Sequence, residues 1–174
     1  MILSFDFKLV EFQDLKASSL KVHLAFGVSD LNFKFTVIGE SPDRFPSLLS
    51  KESRKRKDDL WKNDCFEIFW DFGGEDYFEL NLSPTGHWQV YSFLSERKGR
   101  AEFDVQPPIL SSARGLQEYS LTGRLQLNNR KSALAYRSHP CVILNDQANG
   151  IRYYASSHPQ SAPNFHDKSH WKIL

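Results

Sequence analysis

Apolar residues recur at every second position along much of this chain, and that repeat confines it to extended structure. Across residues 20–26, Leu20, Val22, Leu24 and Phe26 share one face, with Lys21 and His23 opposite. Across 31–37, Leu31, Phe33, Phe35 and Val37 alternate with Asn32, Lys34 and Thr36, and across 119–127 Tyr119, Leu121, Leu125 and Leu127 alternate with Ser120, Thr122, Arg124 and Gln126. A repeat of two lines up apolar side chains on one side of a strand, whereas a helix would scatter them around its axis. Turn residues punctuate the pattern. Asp71-Phe72-Gly73-Gly74 ends one strand, and Asn145 to Gly150 opens a hairpin into Ile151-Arg152-Tyr153-Tyr154. Ser83-Pro84-Thr85-Gly86 reads as a type I turn, with Pro second and Gly fourth. The pattern predicts strands near 2–11, 19–27, 31–38, 65–71, 77–82, 87–94, 100–105, 119–127, 140–145 and 151–156. It implies an all-β fold, a two-sheet antiparallel β-sandwich of jelly-roll type.

With 174 residues, no repeat and no linker, the chain reads as a single domain over 1–174. Hydrophobic residues at 40% and charged residues at 25% exclude a disordered chain. A net charge of +1 argues against capture of nucleic acid. No apolar run approaches the ~20 residues of a membrane helix, so no membrane partner is expected. The start, Met1-Ile2-Leu3-Ser4-Phe5-Asp6-Phe7-Lys8, lacks the basic head and apolar stretch of a signal peptide, which makes the cytoplasm the expected compartment. Cys65 and Cys141 lie in apolar runs and read as buried free thiols. Residues 41–63 form a long loop with one helical turn. Its basic run Lys51-Glu52-Ser53-Arg54-Lys55-Arg56-Lys57 is a solvated surface, or the place for a protein partner to dock.

Strand parity singles out one face. Glu67 shares a side with Cys65, Phe69 and Asp71; Glu79 and Asn81 share one with Tyr77; Gln89 and Tyr91 share one with His87 and Phe93, opposite Trp88 and Val90. If the three strands are neighbours, Glu67, Glu79, Asn81, Gln89 and Tyr91 converge. Carboxylates accept and amides both donate and accept, which suits vicinal hydroxyls. Trp61, Trp88 and Tyr153 are the candidates for a flat apolar wall. Two carboxylates on adjacent strands also admit a hydrolase reading for Glu67 and Glu79, which needs a separation of about 5–9 Å. The loop 157–170 carries His158, His166 and His170. They either fix the loop by hydrogen bonds, border a ligand or bind zinc.

Three blocks together resemble a known family. They are Leu60-Trp61-Lys62-Asn63-Asp64-Cys65-Phe66-Glu67-Ile68-Phe69, then Tyr77 to Phe93, then Tyr153-Tyr154-Ala155 with His158-Pro159-Gln160-Ser161-Ala162-Pro163-Asn164-Phe165-His166. In order and spacing they resemble the bacterial DOMON-like domain proteins, related to carbohydrate-binding module family 9. Tyr154 stands where the family has tryptophan, Ser156 where it has leucine, and Asn164 where it has an acid. The resemblance implies a β-sandwich and a non-catalytic role in binding a carbohydrate or other small ligand, with His158 and His166 on the rim. Some relatives bind haem through Met and His, but the one methionine here is Met1. Family 9 modules can carry calcium, for which Asp64, Asp71 and Asp76 offer hard oxygens without forming a calcium-loop motif. No other cofactor is expected.

Overall fold

The computed structural model describes residues 2–12, 14–40, 42–127, 134–146, 150–159 and 161–174, with backbone alone at 14–19 and 42. Its strands are β1 (Leu3–Glu11), β2 (Asp14–Phe26), β3 (Asp30–Ile38), β4 (Cys65–Asp71), β5 (Tyr77–Leu82), β6 (Trp88–Phe93), β7 (Ala101–Glu102), β8 (Ile109–Arg114), β9 (Glu118–Gln126), β10 (Arg137–Asp146), β11 (Gly150–Ala155) and β12 (Lys172–Ile173). All the pairings between these strands are antiparallel. The ladder runs in the order β7-β6-β5-β4-β10-β11-β1-β2-β3-β9-β8, with β12 on β10. The chain is thus an all-β, curled antiparallel sheet. The expected pair of separate sheets is instead one continuous ladder, because β1 joins β11 through Val10 opposite Ala155 and Glu11 opposite Tyr154. Phe12 extends the seam by donating its amide to the Tyr153 carbonyl at 2.8 Å.

The curl turns the apolar faces of the two halves toward each other. Phe7, Leu9, Val22, Leu24, Phe33 and Phe35 come from one half; Phe66, Ile68, Trp70, Leu80, Val90 and Val142 come from the other. Phe35 meets Phe66 across the core at 5.2 Å between ring centres, and Phe45 stacks on Tyr119 at 4.4 Å. Each fully buried side chain of this size contributes about 1.5–3 kcal/mol. In β9, Gly123 is where a side chain would collide with Phe33 and Leu110, so the strand keeps its place by having none.

Some boundaries differ from the sequence reading. β8 goes beyond the strands expected from the pattern, because Ile109-Leu110-Ser111-Ser112-Ala113-Arg114 shows little alternation and, as an edge strand, buries Leu110 alone. β7 is two residues rather than 100–105. β10 starts at Arg137 and contains Pro140. Pro140 lies where one edge of β10 is unpaired, between the β12 ladder, which ends at Ser138, and the β11 ladder, which begins at Cys141. Loop 41–63 holds three short 3-10 turns, Pro42–Arg44, Lys51–Ser53 and Leu60–Lys62.

That loop is also fastened more firmly than a solvated surface. Arg54 donates to the Leu49 and Leu110 carbonyls at 2.8 and 3.1 Å. Arg56 donates to the Phe103 carbonyl at 3.0 Å and lies 4.6 Å over the Trp88 ring.

Candidate ligand-binding site

The face of β4, β5, β6, β10 and β11 that turns away from the main core forms the candidate site. Period-two register builds it in rows. Glu67 on β4 stands opposite Cys141 on β10 and Asn81 on β5, and Asn81 stands opposite Gln89 on β6. In the next row His139, Phe69, Glu79 and Tyr91 run across the same four strands. A second apolar cluster, including Leu60, Phe69, Tyr77, Phe93, Ile143, Phe165 and Trp171, covers this face. Every residue of β4 is therefore buried, on both sides of the strand.

Much of the cover comes from residues 157–159 and 161–171, a strap laid over the sheet. Phe165 packs 6.5 Å from Phe69 and 6.1 Å from Tyr153, and the Trp171 indole donates to the Phe165 carbonyl at 2.9 Å. His166 Nδ1 lies 2.6 Å from the Tyr77 hydroxyl. That hydroxyl accepts from the Arg97 amide at 3.1 Å, so its own proton goes to Nδ1. The neutral ring then carries its proton on Nε2, 3.9 Å from Glu79 Oε2. Burial, with the Arg97 charge, holds His166 down at about 3, so it is neutral at physiological pH.

Between strap and sheet remains a cavity of about 500 Å³, within the range of small-molecule sites, roughly 300–1,000 Å³. Its walls are aromatic, from Trp61, Tyr91, Tyr153, Phe93 and Phe165. Glu67 and Glu79 reach it from the floor, and His166 from the strap. Arg97 and Arg100 stand at the mouth, exposed on the turn after β6. The Arg100 guanidinium lies 5.0 Å over the Tyr91 ring and 5.7 Å over Trp61. Arg97 has a positive φ of 56°, aims its amide at Tyr77 and donates through its guanidinium to Asn164 Oδ1 at 3.0 Å.

The two floor carboxyls are unequal. Glu79 is 5% exposed and accepts from the Asn81 amide at 2.6 Å. Glu67 is 2% exposed, and among the described residues no N–H or O–H donates to it; its one hydrogen-bonding neighbour is the Cys65 thiol. Burial pushes Glu67 well above the ordinary carboxylate range, and the Glu79 charge adds to this. Burial raises Glu79 to about 7, against the pull of the Asn81 amide and of Arg100 and Arg97. At neutral pH the floor therefore holds protons.

The other residues expected at the site lie elsewhere or beneath it. Asn81 is fully buried between Glu79 and the Cys65 thiol. Gln89 is also buried and spends its amide on Arg56, Asp58, Glu102 and the Val90 N–H. Neither is among the cavity's lining residues. Trp88 corrects the sequence reading. Its parity puts it in the main core, 4% exposed, so it cannot serve as a wall of the site. His158 is likewise off the rim, with Nε2 2.9 Å from the Val10 carbonyl oxygen. Of the three loop histidines, His170 pairs with the Ser157 hydroxyl, and no two share a partner. Among the described residues no group of three His, Cys, Asp or Glu is placed to hold a metal. Phe69, Phe93, Arg97, Arg100 and Phe165 escaped sequence reasoning as site residues. Parity had put Phe69 and Phe93 on the right face, but the arginines and Phe165 are brought in by loops that carry no periodic signal.

The oxygens expected to suit calcium already face protein cations. Asp71, fully buried, meets Arg137 at 2.9 Å and Lys168 at 3.0 Å. Lys168 Nζ also donates to the Gly74, Glu75 and Asp76 carbonyls at 2.9, 2.8 and 3.2 Å. Asp64 accepts from Arg44 at 2.8 Å and from the Asn145 amide at 2.7 Å. Lys168 thus anchors the strap's end to the β4–β5 turn. Lys168→Met is expected to cost about 3 kcal/mol, since it takes one partner from a buried charge and leaves Arg137. That lowers the melting temperature by about 6–12 °C. An unchanged melting temperature would show that Arg137 alone satisfies Asp71.

No family model matches the chain, and no curated protein matches it. The fold, however, has a solved counterpart. A crystal structure of a putative carbohydrate-binding protein from Bacteroides uniformis ATCC 8492 is similar over 98% of this chain and 84% of its own, with a TM-score of 0.63. Identity is 11%, so the likeness is one of fold.

Proposed function

We propose that this chain is a non-catalytic binding module for a carbohydrate or similar polyhydroxylated small molecule, and that its curled sheet is a variant of the jelly-roll sandwich of DOMON-like and family 9 modules. The observation that carries the reading is the cavity itself, with aromatic walls over a floor of hydrogen-bonding carboxyls. Sugars present apolar C–H faces and rings of hydroxyls, so a site for them needs flat apolar walls and polar groups together. The solved counterpart, itself described as carbohydrate-binding, supports the same class of ligand.

The floor suits the binding of hydroxyls. A hydrolytic pair needs one carboxyl ionised and the other protonated, set apart by their surroundings. Here burial raises both carboxyls, Glu79 to about 7 and Glu67 well above its ordinary range, so the floor presents at least one neutral acid near neutrality. Neutral acids donate as well as accept, which serves hydroxyls without cleaving anything.

The test is a thermal-shift screen against mono- and oligosaccharides, followed by calorimetric titration. A ligand at 100 times its Kd is expected to add about 2.7 kcal/mol. Trp61→Ala is expected to weaken binding at least tenfold and leave the melting temperature within about 2 °C, because Trp61 lines the cavity outside the main core. No dose-dependent shift with any sugar at millimolar concentration would overturn the reading.

A further inference from the structure

A floor carboxyl that has, among the described residues, only a thiol beside it says more than that hydroxyls fit. We propose that the cavity selects a sugar bearing a primary amine, an amino sugar, whose ammonium group sits against Glu67 and Glu79. The inference rests on the binding reading above and narrows its ligand class.

Three observations carry it. First, Glu67 is 98% buried, faces the cavity and has no N–H or O–H donor among the described residues. A buried acceptor of this kind is costly until something donates to it. Second, Glu79 is its diagonal neighbour on the adjacent strand and leaves Oε2 without a close donor among the described residues, His166 Nε2 being 3.9 Å away. Two carboxyls so placed offer acceptors to the three N–H groups of one ammonium. Third, the walls include the Tyr153 and Phe93 rings, π faces that attract a cation, whereas Trp61 and Tyr91 already lie beneath the Arg100 guanidinium. A quaternary amine would satisfy the walls and leave the carboxyls bare, so the geometry asks for a primary amine.

The remaining charges define the other end of the ligand. Arg97 and Arg100 occupy the mouth, not the floor, and the Arg97 guanidinium is turned toward Asn164. They suit hydroxyls or an acidic substituent on the outer part of a sugar, and they oppose a second amine. Asp58, beyond the Tyr91 ring, is occupied by the Tyr91 hydroxyl at 2.6 Å and by Gln89 at 3.2 Å. His166 is neutral, and the Cys65 thiol, raised by its burial, stays protonated. The protonation chemistry then balances simply. The ammonium arrives charged and keeps its three protons. A floor carboxyl releases its own proton to the buffer as it becomes the counter-ion.

The experiment is calorimetric titration of the intact protein at pH 6.5, below the titration of amines. It is run in two buffers of different ionisation enthalpy. The probes are glucosamine, galactosamine and mannosamine, with the parent hexoses, the N-acetyl derivatives and tetramethylammonium as comparisons. At least one hexosamine is expected to bind ten times more tightly than its parent hexose and to release close to one proton. N-acetylation is expected to abolish the preference, and tetramethylammonium to bind no better than the hexose. Glu67→Gln, which keeps the side-chain volume, is expected to fold and to erase both the preference and the proton release. A hexose or N-acetyl sugar that binds as well as the amine overturns the amine inference and leaves the binding module standing. So does a preference that survives in Glu67→Gln. Failure of every sugar removes both.

Discussion

Trp88→Ala is expected to unfold the protein more readily rather than to blunt ligand binding. The indole is 4% exposed in the main core, opposite Leu82 across the β5–β6 ladder. Arg56 lies 4.6 Å over its ring, and the Trp88 backbone bonds the loop on both sides, donating to the Lys55 carbonyl at 3.2 Å and accepting from the Lys57 amide at 2.9 Å. Truncating a buried tryptophan costs about 3–5 kcal/mol. Freeing the Arg56 guanidinium from its ring adds up to about 1 kcal/mol. For a chain of this length a loss near 4 kcal/mol lowers the melting temperature by about 8–16 °C. Urea denaturation measures the loss, and titration of the remaining folded protein below its new midpoint measures affinity, which is expected to stay within twofold. A variant that melts normally but no longer binds would place the indole in the ligand site and overturn the core assignment.

The contrast between Trp88 and Trp61 shows what the sequence could and could not tell. Alternation along 87–93 already set Trp88 against Gln89 and Tyr91, and parity is a backbone property that tertiary packing seldom reverses. Placing Trp88 beside Trp61 as a stacking wall goes against that parity. The same parity placed Glu67, Glu79, Asn81, Gln89 and Tyr91 on one side, and the β4–β5–β6 register puts them there. Parity says nothing of depth, however. Asn81 and Gln89 sink below the cavity because neighbouring side chains consume their amides. The loop 157–170 stood out by its histidines, but Phe165, Arg97 and Arg100 did not, because loops place side chains by tertiary contacts, not by period. The continuous ladder was equally hidden. It depends on the short β1–β11 seam, and no residue in Val10-Glu11 or Tyr154-Ala155 announces a partner.

Stability is expected to peak on the acid side of neutrality, between about pH 4.5 and 6.5, and to fall on both flanks. Two sets of buried groups pull in opposite directions. His139, nearly fully buried with Nε2 unpartnered, is lowered by burial from 6.5 to about 3, and His166 reaches a similar value for the same reason. Between those values the unfolded chain binds protons that the folded protein refuses, so stability rises with pH at about 1.4 kcal/mol per unit for each histidine. His158, lowered by the same cause, adds to that slope. Glu67 and Glu79 do the reverse. From the ordinary 4.5 upward the folded protein keeps protons the unfolded chain has lost, until about 7 for Glu79, and Glu67, pushed well above the ordinary range by burial, acts in the same direction. Their stabilisation is complete below 4.5 and disappears as pH rises through the folded values. In the shared window the slopes nearly cancel. Below 4.5 the histidines act alone and cost about 4 kcal/mol by pH 3. Loss of the lowered Asp58 and Asp167 carboxylates steepens that limb. Above 6.5 the glutamates act alone, so stability falls through neutrality. Urea midpoints from pH 3 to 9 measure the profile. The Glu67→Gln, Glu79→Gln double variant is expected to flatten the alkaline limb and leave the acid limb in place. A wild-type profile that climbs through pH 7 would show that the floor carboxyls are ionised in the empty protein. A bound ammonium supplies the counter-charge those carboxyls lack, so an amino sugar is expected to move the maximum toward neutral pH, and a neutral hexose to raise the profile without moving it.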